Sequence, residues 1–329
     1  MGKKIIVDMY GADKGPEAVA EGILKAINAF EGYDILAVGD REEVAGLFEK
    51  LRPKYNADMK RISILNAPGR IENTENPMRV VKETGTSMHE ALKALKNDPE
   101  ALGLVSCGNT GALMVGSIFL LGLDEGLKIP VLASFLPTGP EGRMVCLVDC
   151  GANVDSKPAD LVKFAILGTK LVKNALGIDD PKVALLSVGR EKGKGNLQTK
   201  AAYELLEEAE VNFTGNREPD VLYSGEADVI VCDGFPGNVV LKNTEATAHD
   251  LLARVKRRLA KETDPHTVEV LEGICEDIYT SHEFNERGGA IFLGTSKTVI
   301  KAHGRASPDT VCACISQIIG KGAVPSEKR

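Results

Sequence analysis

The chain has 329 residues, enough at about 150 per domain for two domains or one large α/β domain. Hydrophobic residues make up 43% and charged residues 26%, which argues against disorder over most of the length. Forty basic against 47 acidic residues give a net charge of −7, which argues against nucleic acid as a partner, because binding it needs a basic face.

In chain order, Met1-Gly2-Lys3-Lys4-Ile5-Ile6-Val7-Asp8 meets an acidic residue after three apolar ones, so no signal peptide is expected. Strands are predicted at Lys4–Asp8, Ile35–Gly39, Arg61–Leu65, Ala101–Ser106, Pro130–Leu136, Val145–Asp149, Lys182–Val188, Asp228–Cys232 and Thr298–Ala302. Several are unbroken Val/Ile/Leu runs, the pattern of strands covered on both faces. Helical periodicity lies between them, at Pro16–Phe30, Glu42–Leu51, Ser87–Lys96, Leu161–Leu176 and Gln198–Glu208. This alternation predicts a largely parallel sheet with helices on both faces. The longest nearly apolar stretch, Gly111–Leu123, is too short to span a bilayer. No Pro/Gly/Ser-rich linker or repeat divides the chain, so one large domain spanning 1–329 is expected.

Residues 243–287 interrupt the alternation as a two-helix excursion, split at Thr263-Asp264-Pro265. Leu251, Leu252, Val255 and Leu259 form one apolar stripe, and Val268, Leu271, Cys275 and Ile278 another. Between Leu251 and Lys261 stand Arg254, Lys256, Arg257, Arg258 and Lys261, with no acidic residue. Such helices pack on their own domain or a second subunit; a basic amphipathic helix can also lie on anionic lipid, although the polar turn weakens that reading.

The seven cysteines form no CxxC pair, and no His pair stands near them at zinc spacing, so reduced core thiols are expected. Cys107 and Cys232, beside glycine-rich turns, are the alternative nucleophiles.

Four predicted strands end in Gly/Asn turns: Cys107-Gly108-Asn109-Thr110-Gly111, Cys150-Gly151-Ala152-Asn153, Gly189 to Asn196, and Asp233-Gly234-Phe235-Pro236-Gly237-Asn238. In a parallel sheet such turns emerge at the carboxyl edge, where glycines let backbone N–H groups approach an anion. A shared anion site is therefore expected, with turn geometry alone as the plainer explanation of any single turn. Lys192 and Lys194 add positive charge to the third turn. No P-loop, Rossmann fingerprint, Gly-x-Ser-x-Gly elbow or His-Glu-x-x-His is present, which leaves oxyanion chemistry without a nucleotide.

These blocks, with Asp8-Met9-Tyr10-Gly11-Ala12-Asp13-Lys14-Gly15-Pro16, Gly288-Gly289-Ala290, Leu293-Gly294 and Ala302-His303-Gly304, resemble in order those of the bacterial acyl-acyl-carrier-protein:phosphate acyltransferases (PlsX). The resemblance runs from residue 5 to about residue 319. It implies a three-layer α/β/α fold like that of isocitrate and isopropylmalate dehydrogenases. It also implies acyl transfer from acyl carrier protein to inorganic phosphate, giving acyl phosphate for phospholipid synthesis. A cytoplasmic homodimer, loose membrane contact through the excursion, and neither metal nor organic cofactor follow from the same resemblance. The opening block is commonly Asp-Ala-Met-Gly-Gly-Asp, so Tyr10 and Ala12 depart from it; Arg190 and Lys192 stand where acidic residues are usual.

On this reading Lys194 and Asn238 stabilise the developing oxyanion, with Gly195 and Gly237 N–H groups nearby. Gly108, Asn109, Thr110, Gly111, Asn153 and Asn196 hold phosphate, and Asp8, Asp13 and Asp233 orient these groups or merely cap turns. His303 protonates the leaving thiolate or is structural, and Lys157 is a helix-start surface residue. Arg254, Arg257, Arg258 and Lys261 form a docking face for the acidic carrier protein. Two alternatives keep the fold: an acetyl-phosphate-forming component of an amino-acid reductase complex, and a non-catalytic phosphate or acyl sensor. A dehydrogenase is disfavoured, since no nicotinamide or metal motif is evident.

Overall fold

The computed structural model describes residues 3–124, 126–139, 143–282 and 288–320; Met1, Gly2 and the last five residues of the expected excursion lie outside them. In chain order the strands are β1 (Lys3–Asp8), β2 (Tyr33–Gly39), β3 (Ile62–Asn66), β4 (Ala101–Ser106), β5 (Val131–Pro137), β6 (Met144–Val148), β7 (Lys182–Leu186), β8 (Asn212–Arg217), β9 (Val229–Val231), β10 (Ala290–Leu293) and β11 (Thr298–Lys301). The helices are α1 (Gly15–Ala29), α2 (Arg41–Tyr55), α3 (Arg79–Lys82), α4 (Ser87–Asn97), α5 (Thr110–Gly116), α6 (Pro158–Leu176), α7 (Leu197–Glu207), α8 (Val221–Ser224), α9 (Gly234–Leu259), α10 (Pro265–His282) and α11 (Pro308–Ile319).

The chain divides into two compact units, Met1–Val131 with Asn285–Arg329, and Leu132–Phe284. The sequence predicts one domain because no linker composition marks either crossing; the first crossing falls inside β5, where the residues are those of a strand.

In the first unit the strand order is β3-β2-β1-β4-β11-β10. All neighbours are parallel except β10, which runs antiparallel to β11. Ile5, Ile6 and Val7 are each fully buried, so both faces of β1 are covered, as their unbroken apolar run requires. Helix α1 packs against α2 and α11, while α4 packs on β1, β2 and β4. The Asp40 carboxylate starts α2 by accepting from the N–H groups of Glu42 and Glu43, and Ser307 caps α11.

In the second unit the order is β5-β6-β9-β7-β8, with β5 antiparallel to β6 and the rest parallel. Val145 to Val148 and Val229 to Val231 are fully buried and form its centre. Two strands escape the sequence reading. Asn212–Arg217 is a polar edge segment that becomes β8 only by pairing with β7, and Ala290–Leu293 is a four-residue strand behind two glycines.

The excursion is longer than predicted at its start. Its first helix begins at Gly234 rather than near Asn243, because Asp233 provides a cap ten residues upstream. Leu252, Val255 and Leu259 are half-buried, as are Val268, Leu271, Cys275 and Ile278, and α9 packs on α10. Leu251, Val270 and Ile274 stay exposed. Among the described residues no helix is long and apolar enough to cross a membrane.

Candidate active site

Each unit gathers a loop cluster at the carboxyl ends of its parallel strands. Of the four Gly/Asn turns, those after β6, β7 and β9 belong to the second unit, where β9 lies between the other two; the turn after β4 belongs to the first, beside β1 and β11.

In the first unit Asp8 ends β1 almost fully buried. Its Oδ2 accepts from Ser106 Oγ at 2.8 Å and its Oδ1 from the Tyr10 N–H at 3.3 Å. Burial raises the Asp8 carboxyl above its ordinary value, while the Ser87 and Ser106 hydroxyls, the Tyr10 N–H and Lys301 pull it back. Ser106 Oγ in turn accepts from the Gly108 N–H at 3.1 Å. Gly11 sits at φ +94°, and a Cβ there would fall 2.2 Å from Gly108 Cα, so these two loops meet backbone to backbone. The Asp13 N–H donates to the Gly304 carbonyl at 2.6 Å, which brings the His303 turn alongside. His303 Nδ1 accepts from the Arg305 N–H at 3.1 Å, which leaves the proton of a neutral ring on Nε2.

Lys301, which the sequence reading passed over, donates from Nζ to the carbonyls of Cys107 and Ala302. Desolvation lowers its pKa, opposed by the neighbouring carboxylates of Asp13 and Asp8. Its only sequence signal is a cation ending an apolar strand.

Asn109 does not match its expected role. Its Oδ1 caps α5 through the Ala112 N–H at 3.0 Å, and its Nδ2 donates to the carbonyls of Glu72, Asn73 and Glu75. That amide holds a loop. Thr110 opens α5 exposed, and a Cβ on Gly111 would meet Pro77 Cγ at 2.8 Å, so this glycine serves packing.

In the second unit the organiser is Asp149, fully buried at the end of β6. Its Oδ1 accepts from the N–H groups of Gly151 and Ala152 at 2.9 Å, and its Oδ2 from both Asn153 N–H and Asn153 Nδ2 at 2.7 Å. Burial raises its carboxyl and these donors offset part of that rise. Asn153 is therefore committed to Asp149, and its carbonyl accepts from the Gly234 N–H at 2.8 Å. Asp233 caps α9 through the Phe235 N–H at 3.0 Å, while its second oxygen accepts from the Ser156 N–H at 2.7 Å and Gln198 Nε2 at 3.4 Å. Desolvation pushes the Asp233 carboxyl up, but the donors from Ser156, Phe235 and Gln198 together carry it below its ordinary value.

Gly237 and Asn196 also differ from expectation. The Gly237 N–H donates within α9 to the Asp233 carbonyl at 3.0 Å, so it is not turned to a ligand. Its Cα lies so close to the Asp149 carbonyl oxygen that a Cβ would fall 1.9 Å from it. Asn196 caps α7, its Oδ1 accepting from Thr199 N–H and Oγ1 at 2.8 Å. Gly195 adopts φ +104° against Thr199 and Ser187. By contrast, the Lys194 ammonium and the Asn238 amide are exposed and have no hydrogen-bond partner among the described residues. Asn238 lies over Gly151, and the Lys194 stem over Gly189.

Burial pushes the Cys107 thiol up to about 12 and the Cys232 thiol well above its usual value, so neither is a ready thiolate nucleophile. Among the described residues no three His, Cys, Asp or Glu side chains converge as metal ligands.

Comparison with known proteins gives this geometry a context. The chain matches the family described as "Fatty acid synthesis protein" over residues 3–324. Phosphate acyltransferase from Bacillus cereus (strain G9842) is 38% identical over 328 residues, covering 98% of this chain and 96% of that one. The phosphate acyltransferase of Halalkalibacterium halodurans is 40% identical over 316 residues, covering 95% and 91%. The chain belongs to the PlsX family of phosphate acyltransferases. The EutD phosphotransacetylase from Staphylococcus aureus shares its fold at TM-score 0.60 and 16% identity, covering 98% of this chain and 94% of that one. A 4-hydroxythreonine-4-phosphate dehydrogenase from Klebsiella pneumoniae does so at 0.53 and 14%, covering 96% and 98%. The dehydrogenase-type α/β/α fold implied by the sequence blocks is thus the one observed.

The structure also accounts for three of the four residues that depart from the usual PlsX blocks, Tyr10, Arg190 and Lys192. Tyr10 is turned inward: its hydroxyl donates to Glu43 at 2.7 Å and accepts from the Asp40 N–H at 2.8 Å. The Arg70 guanidinium stacks 3.9 Å from its ring centre and pairs with Glu43. Arg190 pairs with Asp220 and Glu226, and Lys192 with Glu207, so of the third turn's two lysines only Lys194 keeps an unpaired charge. On α9, Arg254 pairs with Asp250 and Arg258 with Glu262, at residues flanking the basic run. Arg257 and Lys261 have no ion pair among the described residues.

Two measurements check this geometry. Gly237→Ala should destabilise the chain by about 1–3 kcal/mol through overpacking, seen as a lower urea midpoint at unchanged m-value. Because the folded-state pKa of Asp233 is depressed, its stabilisation is present above the unfolded value of about 3.9 and is lost as pH falls through the folded one. The stability difference between wild type and Asp233→Asn should therefore shrink as pH is lowered from about 5 toward about 3. A constant difference would show that Asp233 acts through its shape alone.

Proposed function

We propose that the protein transfers a fatty acyl group from the thioester of acyl carrier protein to inorganic phosphate, giving acyl phosphate for phospholipid synthesis. The reading rests on agreement with phosphate acyltransferases along nearly the whole chain. A phosphate oxygen attacks the thioester carbonyl, the C–S bond breaks, and the electron pair leaves on sulfur. The proton of hydrogen phosphate passes to the thiolate, so the exchange balances without redox or metal chemistry being written into it.

Phosphate is already an oxyanion at neutral pH and needs position more than a strong base. The exposed Lys194 ammonium and Asn238 amide have no hydrogen-bond partner among the described residues, which supports giving them the negative charge that develops on the carbonyl oxygen. Gly195, held at positive φ by the turn, supplies a backbone N–H beside Lys194. His303, whose Nδ1 accepts from the Arg305 N–H, donates a hydrogen bond from Nε2 to the leaving sulfur, which takes up the proton released by hydrogen phosphate. Asp8, Asp13, Asp233, Asn109, Asn153 and Asn196 position the loops rather than touch phosphate.

Arg257 on α9 and Lys261 in the turn after it, without an ion pair among the described residues, fit the acidic carrier protein. Exposed Leu251, Val270 and Ile274 on α9 and α10 fit a homodimer face or loose contact with lipid.

Hydroxylamine trapping tests the reaction: long-chain acyl carrier protein with phosphate should yield hydroxamate and acetyl-coenzyme A should not. No hydroxamate from either donor overturns it. Lys194→Gln should lower kcat about 10²–10³-fold with the fold intact by circular dichroism. Reversing Arg257 and Lys261 to Glu should raise KM for the carrier-bound donor about tenfold and leave KM for phosphate within about twofold; equal effects on both would refute the docking face.

A further inference from the structure

We infer that a cavity of about 530 Å³ inside the second unit seats the acyl chain of the donor, with the Ser187 hydroxyl donating to its thioester carbonyl. The inference rests on the acyl-transfer reading above. The cavity runs between the end of β7, the start of α7 and the first turns of α9. Its volume falls within the range of about 300–1,000 Å³ that small-molecule sites occupy.

The lining is apolar over much of its wall: Leu161, Leu186, Val188, Phe235 and Val240 contribute. Val188 is 79% exposed and Phe235 64% exposed, large side chains that gain from being covered by an apolar ligand. Three buried polar side chains also line it: Ser187, Thr199 and Asp233. Thr199 bonds to Asn196, and Asp233 to Ser156, Phe235 and Gln198. Ser187 is the exception: it is only 8% exposed, and its Oγ has no hydrogen-bond partner among the described residues. A buried hydroxyl left unpaired is costly, so a ligand acceptor is the economical answer. The residue is fixed from behind, because its N–H donates to the Arg217 carbonyl at 2.8 Å. A Cβ on Gly195 would lie 3.1 Å from the Ser187 Oγ, which places this hydroxyl against the glycine that follows Lys194.

Charge decides between the two substrates for this cavity. The Asp233 carboxylate on its wall repels a phosphate dianion but tolerates a neutral carbonyl and an alkyl chain. An acyl chain satisfies the wall by burial and Ser187 by its carbonyl oxygen.

The test uses the full chain with carrier protein loaded with butanoyl, octanoyl or hexadecanoyl groups, reading both equilibrium binding and hydroxamate. Val240→Phe narrows the cavity. Each methylene it excludes should weaken binding about fourfold, so hexadecanoyl donor loses about tenfold or more while butanoyl donor and KM for phosphate are unchanged. Val240→Ala, which opens the same wall, should leave long-chain binding in place. Ser187→Ala should lower kcat about 10²-fold at every chain length, and Ser187→Thr, which keeps the hydroxyl, should restore most of it. Unchanged chain-length preference in Val240→Phe overturns the acyl seat; unchanged turnover in Ser187→Ala overturns the hydroxyl's role. Chain-length-dependent binding that Val240→Phe abolishes, with no acyl phosphate from any donor, supports the cavity and overturns the transfer reaction instead.

Discussion

The candidate site in the second unit depends on one buried carboxylate. Asp149 leaves β6 with no solvent to stabilise its charge, and the following loop folds so that three backbone N–H groups and the Asn153 amide point at it. The loop's shape then determines its neighbours. The Asn153 carbonyl accepts from Gly234, and the Asp149 carbonyl packs against the Cα of Gly237, so the amino end of α9 is positioned by groups that belong to Asp149 and its loop. Asp233 extends the arrangement to Ser156 and Gln198, which tie α6 and α7 to the same point.

A second consequence concerns which polar groups remain for a ligand. Helix amino termini need acceptors, and here Asn109, Asn196 and Asp233 meet that need from within the chain. The asparagines read as phosphate donors thus act as acceptors and braces. On the loops of the second unit the Lys194 ammonium, the Asn238 amide and the Ser187 hydroxyl have no hydrogen-bond partner among the described residues. The buried Ser187 hydroxyl on a largely apolar wall supports the proposal of a polarised carbonyl carried on an alkyl chain.

Much of this was legible in the sequence because it is local. Ile5-Ile6-Val7 and Val145-Cys146-Leu147-Val148 could only be strands covered on both faces, and the Gly/Asn turns that follow parallel strands mark the ligand edge by topology alone. Lys157 before Pro158 marked the start of α6. The polar edge strand Asn212–Arg217 was not legible, since its conformation comes from β7 rather than from its own residues. Nor was the start of α9: Gly234, Pro236 and Gly237 read as a turn, and only the Asp233 cap with tight packing on Asp149 makes them helical.

By itself the sequence determined the fold class, the family and the set of loops that carry the candidate site, because periodicity and motif order are properties of the chain. Tertiary structure alone decided which polar atoms on those loops are free. Each N–H or O–H bond has one direction to give, and whether it points at a helix end, a buried carboxylate or open solvent depends on residues far away in sequence. Asn109 and Asn238 carry the same amide, yet one is enclosed by the carbonyls of residues 72–75 and the other lies exposed over Gly151.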